Sequence, residues 1–170
     1  MPFDQLHRRE VITLLGGAAI TWSLPPWPPL EGLRHGLRDL GYVEGKSHRF
    51  ESRFALGRAE RFPALGSELV NLPVDLIVAW GTPASLAAHK ATSSIPIVVS
   101  AGDPIGAGIV SGLARPGGNV TGMSVQMAEQ EGKRLELLNK LLPSFSRVAV
   151  LSNPSNPYCS IAVREARLRN

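Results

Sequence analysis

The sequence predicts an α/β fold with a parallel sheet, and three observations support that prediction. Apolar runs the length of a strand occur at 76–80, 97–100 and 148–151, as expected of parallel strands that are buried on both faces. Amphipathic helical patterns separate these runs, and such alternation implies right-handed crossovers between parallel strands. Polar turns rich in glycine and proline follow the runs, at the strand ends where open α/β sheets bind ligands.

The first half of the chain is predicted to alternate between helices and strands. Leucines recur at helical spacing over 30–40, and Gly41 is suited to end that helix. Residues 50–54 alternate in the manner of a strand. Helical patterns also cover 62–70 and 83–92. We expect the three strands of this half to be neighbours in the sheet, at 50–54, 76–80 and 97–100.

The second half continues the alternation with shorter elements. A short helix is predicted at 109–113 and a short extended piece at 120–122. A longer helix over about 128–142 carries leucines on one face. The apolar run at 148–151 predicts another buried strand, and a final helix is expected to reach Asn170.

Residues 1–24 have the pattern of an export signal. Arg8 and Arg9 form a basic start, and Val11–Leu24 contains no charged residue, which fits the apolar region of such a signal. The twin arginine resembles a Tat signal, although a Sec signal or an apolar first helix of the domain also fits these residues. The predicted location is therefore the periplasm, or the cytoplasm if this degenerate signal fails.

The residues that precede the first helix contain no further strand pattern. Residues 25–29 include four prolines and are predicted to form a linker. We therefore expect residues 1–29 to pack poorly against the rest of the chain and the sheet to lack its opening strand.

Charge and cysteine content argue against several classes of function. Residues 133–170 carry seven basic and two acidic residues, on helical sequence without interleaved aromatic residues. We interpret this charge as a solvated helix face and expect no nucleic-acid partner. Cys159 is the single cysteine, and the four histidines lack metal-ligand spacing. No nucleophile elbow, P-loop or dinucleotide fingerprint is present, so we expect no enzyme activity, no metal and no cofactor.

The strongest candidate site is the turn after the strand at 76–80. Gly81 permits close backbone approach, Thr82 suits the helix N-cap, and Pro83 suits the first helical position. Backbone N–H groups near Ala84 would then meet a ligand carboxylate. The alternative interpretation is that these residues only make a good strand-to-helix turn.

A second candidate lies after the strand at 97–100. Asp103, followed by Pro104, is placed to pair with a ligand ammonium group. The alternative is that Asp103 forms a turn before the proline. A further alternative is a phosphate-binding role for the glycine-rich stretch 102–108.

Several linked motifs give the chain a family resemblance. They occur in the order GTPA, GDP, RPGGNxTG, KRLELL and NPxNP, between residues 81 and 157. In this order they resemble the substrate-binding proteins of ABC transporters, in the group associated with tryptophan and other aromatic amino acids. The resemblance covers nearly the whole chain.

The resemblance implies a periplasmic-binding-protein type I-like parallel three-layer sandwich with two lobes and a ligand between them. The first lobe would cover 30–122, without its opening strand, and 123–170 would be the start of a truncated second lobe. Thr121, near the crossing between lobes, and Asn153, on the opposite wall, would join the ligand site. The implied ligand is a small solute such as an aromatic amino acid, and the implied partner is an ABC permease. With about half of the pocket present, we expect binding to be impaired.

Two other classes of protein share this pattern of elements. One is a flavodoxin-like or nucleotide-binding α/β enzyme domain. The other is the ligand domain of a transcription regulator, which would need a helix-turn-helix where residues 1–24 instead resemble an export signal.

Overall fold

A computed structural model of the 170-residue chain describes residues 9–15, 28–125, 128–144 and 147–168. The strands are β1 (Arg9–Leu15), β2 (His48–Phe54), β3 (Leu76–Trp80), β4 (Ile97–Ala101) and β5 (Val120–Ser124). The helices are α1 (Pro28–Asp39), α2 (Phe62–Val70), α3 (Thr82–Ala91), α4 (Ala128–Leu141) and α5 (Pro157–Leu168). None of the helices in the described part of the chain is long and apolar enough to cross a membrane.

The five strands form one parallel sheet in the order β2-β1-β3-β4-β5. This is the doubly wound order in which the chain first adds a strand on one side of β1 and then continues on the other side. The predicted α/β class with a parallel sheet is confirmed.

The prediction that the sheet lacks its opening strand is wrong. β1 lies between β2 and β3, so that Ile12 is paired with both Glu51 and Ile77. The error arose because an apolar run next to two arginines fits an export signal, while the same run, rich in β-branched residues, also suits a central strand. β2 and β3 are therefore not neighbours, although β3 and β4 are.

The structure describes only part of the segment that we assigned to export. Residues 9–15 form β1, and the remainder of 1–24 lies outside the described residues. Residues 25–27 of the predicted linker also lie outside the described residues. Pro28 and Pro29, the last two residues of that linker, form the start of α1. Proline is tolerated in the first helical turn because the N–H groups there have no partner within the helix.

Helices cover both faces of the sheet. α2 and α3 pack against each other and against one face. α1 connects β1 to β2, and this step along the sheet runs opposite to the steps made through α2 and α3. A right-handed crossover therefore places α1 on the other face. Arg34 of α1 lies over the ring of Phe50 in β2, 5.4 Å from its centroid, and forms an ion pair with Glu44 at 3.2 Å. The result is the expected three-layer arrangement.

The core lies between the sheet and the α2–α3 pair. Alternate residues of β3 and β4 point to that face and are paired across the ladder, as in Ile77–Ile97 and Ala79–Val99. Leu69, Ile77 and Ile97 are completely buried. This core holds the carboxyl ends of β3 and β4 in fixed positions.

Beyond β5 the structure departs from two predictions. Residues 147–153 are irregular rather than a strand, and Leu151 is fully exposed. An isolated run cannot satisfy its backbone as a strand without a neighbour, and none lies beside it among the described residues. Residues 109–113 form bends and irregular backbone rather than a helix, whereas the helices predicted near 128–142 and at the end of the chain are confirmed as α4 and α5.

Candidate functional site

The carboxyl ends of the parallel strands meet at one edge of the sheet. The strand order reverses between β1 and β3, where Leu15 is paired with Trp80. In open α/β sheets, ligands bind in the crevice at this topological switch point. Gly81 follows β3 directly, so the turn that the sequence singled out lies at the position that the topology favours.

Gly81 makes the turn from β3 into α3. Its φ of 84° and ψ of 150° lie in a region that residues with a side chain rarely adopt. Its N–H donates to the Ser100 carbonyl at 2.7 Å, and its carbonyl accepts from the Ser85 N–H at 3.0 Å. Gly81 itself is the helix N-cap, so the prediction that Thr82 has that role is wrong.

Thr82 connects the two candidate turns. Its hydroxyl accepts a hydrogen bond from the Gly102 N–H at 3.3 Å, and the residue is 3% exposed. Ala84 is completely buried, whereas Gly81 is exposed and Pro83 is half-buried. In this conformation a ligand therefore reaches Gly81 and Pro83 more easily than the other two residues of the turn.

Asp103 and Pro104 lie in a tight turn after β4. One carboxylate oxygen of Asp103 accepts from the Gly106 N–H at 2.8 Å, and its carbonyl accepts from the Ala107 N–H at 3.1 Å. Pro104 is buried, and its carbonyl accepts from the Ile109 N–H at 2.9 Å. Asp103 thus stabilises its own turn while remaining half-buried at the edge of the sheet.

Thr121 is not brought together with these turns. It is the second residue of β5 and is paired with Val98, whereas Ser124 ends the strand beside Ala101. Thr121 lies three residues before the carboxyl end of β5, a distance of roughly 10 Å at the usual rise per residue of a strand. The ligand role predicted for Thr121 would require a ligand that reaches this far along β5.

Asn153 lies on the far side of the site in an exposed turn. Its side-chain oxygen accepts from the Ser155 N–H at 3.0 Å. The second asparagine of the NPxNP motif, Asn156, accepts from the Tyr158 N–H at 3.1 Å through its side-chain oxygen and so begins α5. The motif therefore positions the start of α5.

The sequence reasoning missed Tyr158. Its ring lies on the backbone of Gly102, because a Cβ added at Gly102 would be only 2.7 Å from the ring Cδ2 atom. Its hydroxyl donates to Glu131 of α4 at 3.4 Å, and Glu131 forms an ion pair with Arg134 at 2.7 Å. Burial, and then the Glu131 carboxylate, raise the pKa of Tyr158 above its ordinary value of 10.0. The only sequence signal for this residue was its place directly after NPxNP.

A cavity of about 910 Å³ lies beside Tyr158, between α4, α5 and the irregular segment 148–153. Its polar lining includes Glu131, Arg134 and Asn153, and its apolar lining comes mainly from leucine and valine. Ligand pockets usually have volumes of about 300–1,000 Å³. The cavity is thus large enough for a small organic molecule, and Tyr158 lies on its wall.

A doubly wound parallel lobe with glycine-containing turns at its switch point is the architecture of a small-molecule-binding α/β protein. The chain belongs to the ABC transporter substrate-binding protein family, because the model of that family matches residues 29–169. The resemblance described above is therefore confirmed.

Three relatives illustrate the similarity. The chain is 35% identical over 134 residues to a tyrosine-binding protein of Clostridioides difficile, a match that covers 78% of this chain and 38% of that protein. Among solved structures, the ABC domain in complex with L-Trp from Streptococcus pneumoniae has a TM-score of 0.77 at 27% identity, over 95% of this chain and 53% of that one. A ligand-free, open substrate-binding protein with adhesive properties from Clostridium difficile has a TM-score of 0.58 at 28% identity. That match covers 94% of this chain and 52% of that one.

The chain therefore spans about half the length of these two solved structures, and less of the curated relative. The relatives it matches are binding proteins.

Proposed function

We propose that this chain binds an aromatic amino acid at the carboxyl edge of its sheet, as part of a solute-binding protein that serves an ABC permease. The observation that carries the proposal is the position of the Gly81 turn at the switch point between β1 and β3. The family membership, the tyrosine-binding relative and the L-Trp complex support the choice of ligand class.

The likeness to the L-Trp complex supports the same proposal. Its TM-score of 0.77 exceeds the 0.58 of the ligand-free, open protein, at nearly the same sequence identity and coverage. In our chain α5 lies over the β4 turn, because Tyr158 and Ile161 contact Gly102 and Gly106. We infer that the described conformation corresponds to a closed arrangement around a ligand site.

We propose that the affinity of the 170-residue chain is in the millimolar range. The candidate contacts are Gly81, Pro83 and Asp103 on one wall and Asn153 on the other, and all are at least partly exposed to water. An ion pair in water contributes at most about 1 kcal/mol, while micromolar binding needs about 8 kcal/mol. A pocket whose walls are open to water therefore holds its ligand weakly.

We also propose that the chain is exported with its N-terminal segment retained. The segment lacks an A-x-A cleavage pattern near residue 24, and removal of residues 1–24 would remove β1. Cell fractionation with N-terminal sequencing tests this. We expect exported protein that still contains Arg9–Leu15, and protein that begins after residue 24 would contradict the proposal.

Ligand-observed saturation-transfer NMR tests the binding proposal. We expect signals from L-tryptophan and L-phenylalanine that saturate at millimolar concentration, and much weaker signals from tryptamine, which lacks the carboxylate. FMN and ATP serve as ligands of the alternative enzyme class. Saturable binding of either one, without binding of the amino acids, would contradict the proposal.

A variant pair tests the role of Asp103. Asp103→Asn keeps an oxygen that can accept from the Gly106 N–H but removes the negative charge. We expect it to weaken L-tryptophan binding up to about fivefold, the equivalent of about 1 kcal/mol. Asp39→Asn, at the exposed end of α1, is the control and should leave binding unchanged. Equal L-tryptophan affinities for the wild type, Asp103→Asn and Asp39→Asn would show that Asp103 is not part of the site.

A further inference from the structure

Tyr158 of α5 lies directly on the loop that follows β4. A Cβ at Gly102 would be 2.7 Å from the ring Cδ2 atom and 3.1 Å from Cγ, so only glycine leaves room for the ring at this position. Gly102 is also the residue whose N–H donates to Thr82. The ring is therefore in contact with the turn after β4, which is itself hydrogen-bonded to the turn after β3.

Tyr158 is held at its backbone and at its hydroxyl. At the backbone, the Tyr158 N–H donates to the Asn156 side chain at 3.1 Å. At the other end, the hydroxyl donates to Glu131, which is itself held by Arg134 at 2.7 Å. A side chain held at both ends loses little further conformational freedom when a ligand binds.

The same side chain lines the cavity between α4 and α5. Tyr158 is half-buried, so its ring is covered by Gly102 on one side while part of it remains accessible from the cavity. An aromatic ring with a fixed orientation and an accessible surface is suited to an offset or edge-to-face contact with a second ring.

We propose that Tyr158 is a specificity-determining residue, whose ring contacts the aromatic side chain of the bound amino acid. This inference rests on the proposed function, in which the edge of the sheet holds the ammonium and carboxylate groups. Tyr158 then selects aromatic over aliphatic amino acids, while Glu131 and Arg134 keep its ring in place.

Affinity measurements on three variants test this role. Tyr158→Leu removes the ring and keeps an apolar side chain, whereas Tyr158→Phe keeps the ring and removes the hydroxyl. Tyr42→Leu makes the same change at the other tyrosine of the chain, which contacts His48 near the end of α1. The ligands are L-tryptophan, L-phenylalanine and L-leucine, and each variant is first checked for a wild-type unfolding midpoint in urea.

We expect Tyr158→Leu to weaken binding of the two aromatic amino acids about 3- to 10-fold, the range that aromatic pair energies imply. Its affinity for L-leucine should not change. Tyr158→Phe should stay within about twofold of the wild type for all ligands, because its ring still packs on Gly102 without the hydroxyl, and Tyr42→Leu should match the wild type.

Two results would overturn this role while leaving the proposed function intact. One is Tyr158→Leu with wild-type affinity for the aromatic amino acids. The other is an equal loss for all three ligands, in Tyr158→Leu or in Tyr158→Phe, which would make Tyr158 a structural residue only. A wild-type chain that binds no aromatic amino acid would overturn the proposed function and this inference together.

Discussion

At the scale of single residues, Gly122 shows how tightly the sheet is built. It lies in β5 opposite Val99, and its φ is 148°. A Cβ at this position would collide with the carbonyl oxygen of Val99 and lie 2.6 Å from its nitrogen. The pairing of β4 with β5 therefore depends on the absence of a side chain here.

We predict that Gly122→Ala lowers the free energy of unfolding by about 1–3 kcal/mol, the cost of a strained backbone position. Gly36→Ala is the matched control, because Gly36 lies in α1 with nothing within 4 Å of an added Cβ. The control should raise stability by about 0.5–1 kcal/mol. Urea unfolding followed by circular dichroism measures both changes, and a Gly122→Ala chain as stable as the wild type would contradict the described β4–β5 pairing.

Tyr158 carries a testable pH dependence. Burial first, and then the Glu131 carboxylate, raise its pKa above 10.0, while the Arg134 guanidinium acts in the opposite direction. In a Tyr42→Phe background Tyr158 is the only tyrosine. We expect its absorbance titration to have a midpoint above 10.0, and Glu131→Gln to lower that midpoint without removing the effect of burial.

The sign of the effect on stability follows from the same pKa. Above pH 10 the unfolded chain loses the Tyr158 proton before the folded chain does, so folding becomes less favourable as pH rises through the folded pKa. The stability of Tyr158→Phe should fall less than that of the wild type above pH 10, because the variant lacks the titrating hydroxyl. A midpoint at or below 10.0 would show that the ring is not packed against α4 as described.

At the scale of elements, the sequence predicts some parts of the structure better than others. β3, α3 and β4 were predicted within two residues, because continuous apolar runs and a glycine-proline turn define them locally. β1 was not predicted as a strand, because a short apolar run has the same appearance in a signal segment as in a central strand. Residues 148–151 have the local pattern of a strand but no neighbour among the described residues, and no local pattern shows whether a partner is present.

The candidate site shows the same limit of prediction from local sequence patterns. The turns at Gly81 and Gly102 were found because glycine and proline mark the ends of strands. Tyr158 lies 56 residues after Gly102 and was not found, because the contact depends on how α5 packs on the sheet. Thr121 was included because it lies in a family motif, and the structure places it near the start of β5.

The position of β1 can be tested with a substitution in its middle. Thr13 is paired with Ser52 on one side and Val78 on the other. We predict that Thr13→Pro costs about 3 kcal/mol or more, because proline removes a ladder hydrogen bond from a central strand. Thr13→Val should fold normally, since it changes only the side chain. Equal unfolding midpoints for the two variants would show that residues 9–15 are not a central strand.

At the scale of the whole molecule, the chain combines a five-stranded parallel sheet with a second part that exposes apolar side chains. Leu137 and Leu141 of α4 are 60% and 77% exposed, and Leu151 is fully exposed. Soluble monomers seldom leave apolar surface of this kind in contact with water. The solved structures that the chain matches are about twice as long, so their additional residues have no counterpart in this sequence.

We therefore predict that the 170-residue chain associates with itself through this apolar surface. Sedimentation velocity at increasing protein concentration should show association in the wild type, and Leu141→Lys with Leu151→Lys should reduce it. Gln130→Lys with Ser155→Lys adds the same charge at exposed polar positions and serves as the control. A monomeric wild type at all concentrations, or an equal effect of both double variants, would contradict the prediction.

The location of the ligand is measured most directly by a ¹⁵N–¹H correlation spectrum recorded during titration with L-tryptophan. We expect saturable shifts, with a millimolar dissociation constant, that are largest for the amides of Gly81, Gly102 and Tyr158. The amides of Leu72 and Asn119, before β3 and β5 at the opposite edge of the sheet, should remain unchanged. Shifts that are absent up to saturating ligand, or that are largest at the opposite edge, would contradict a binding site at the carboxyl ends of the strands.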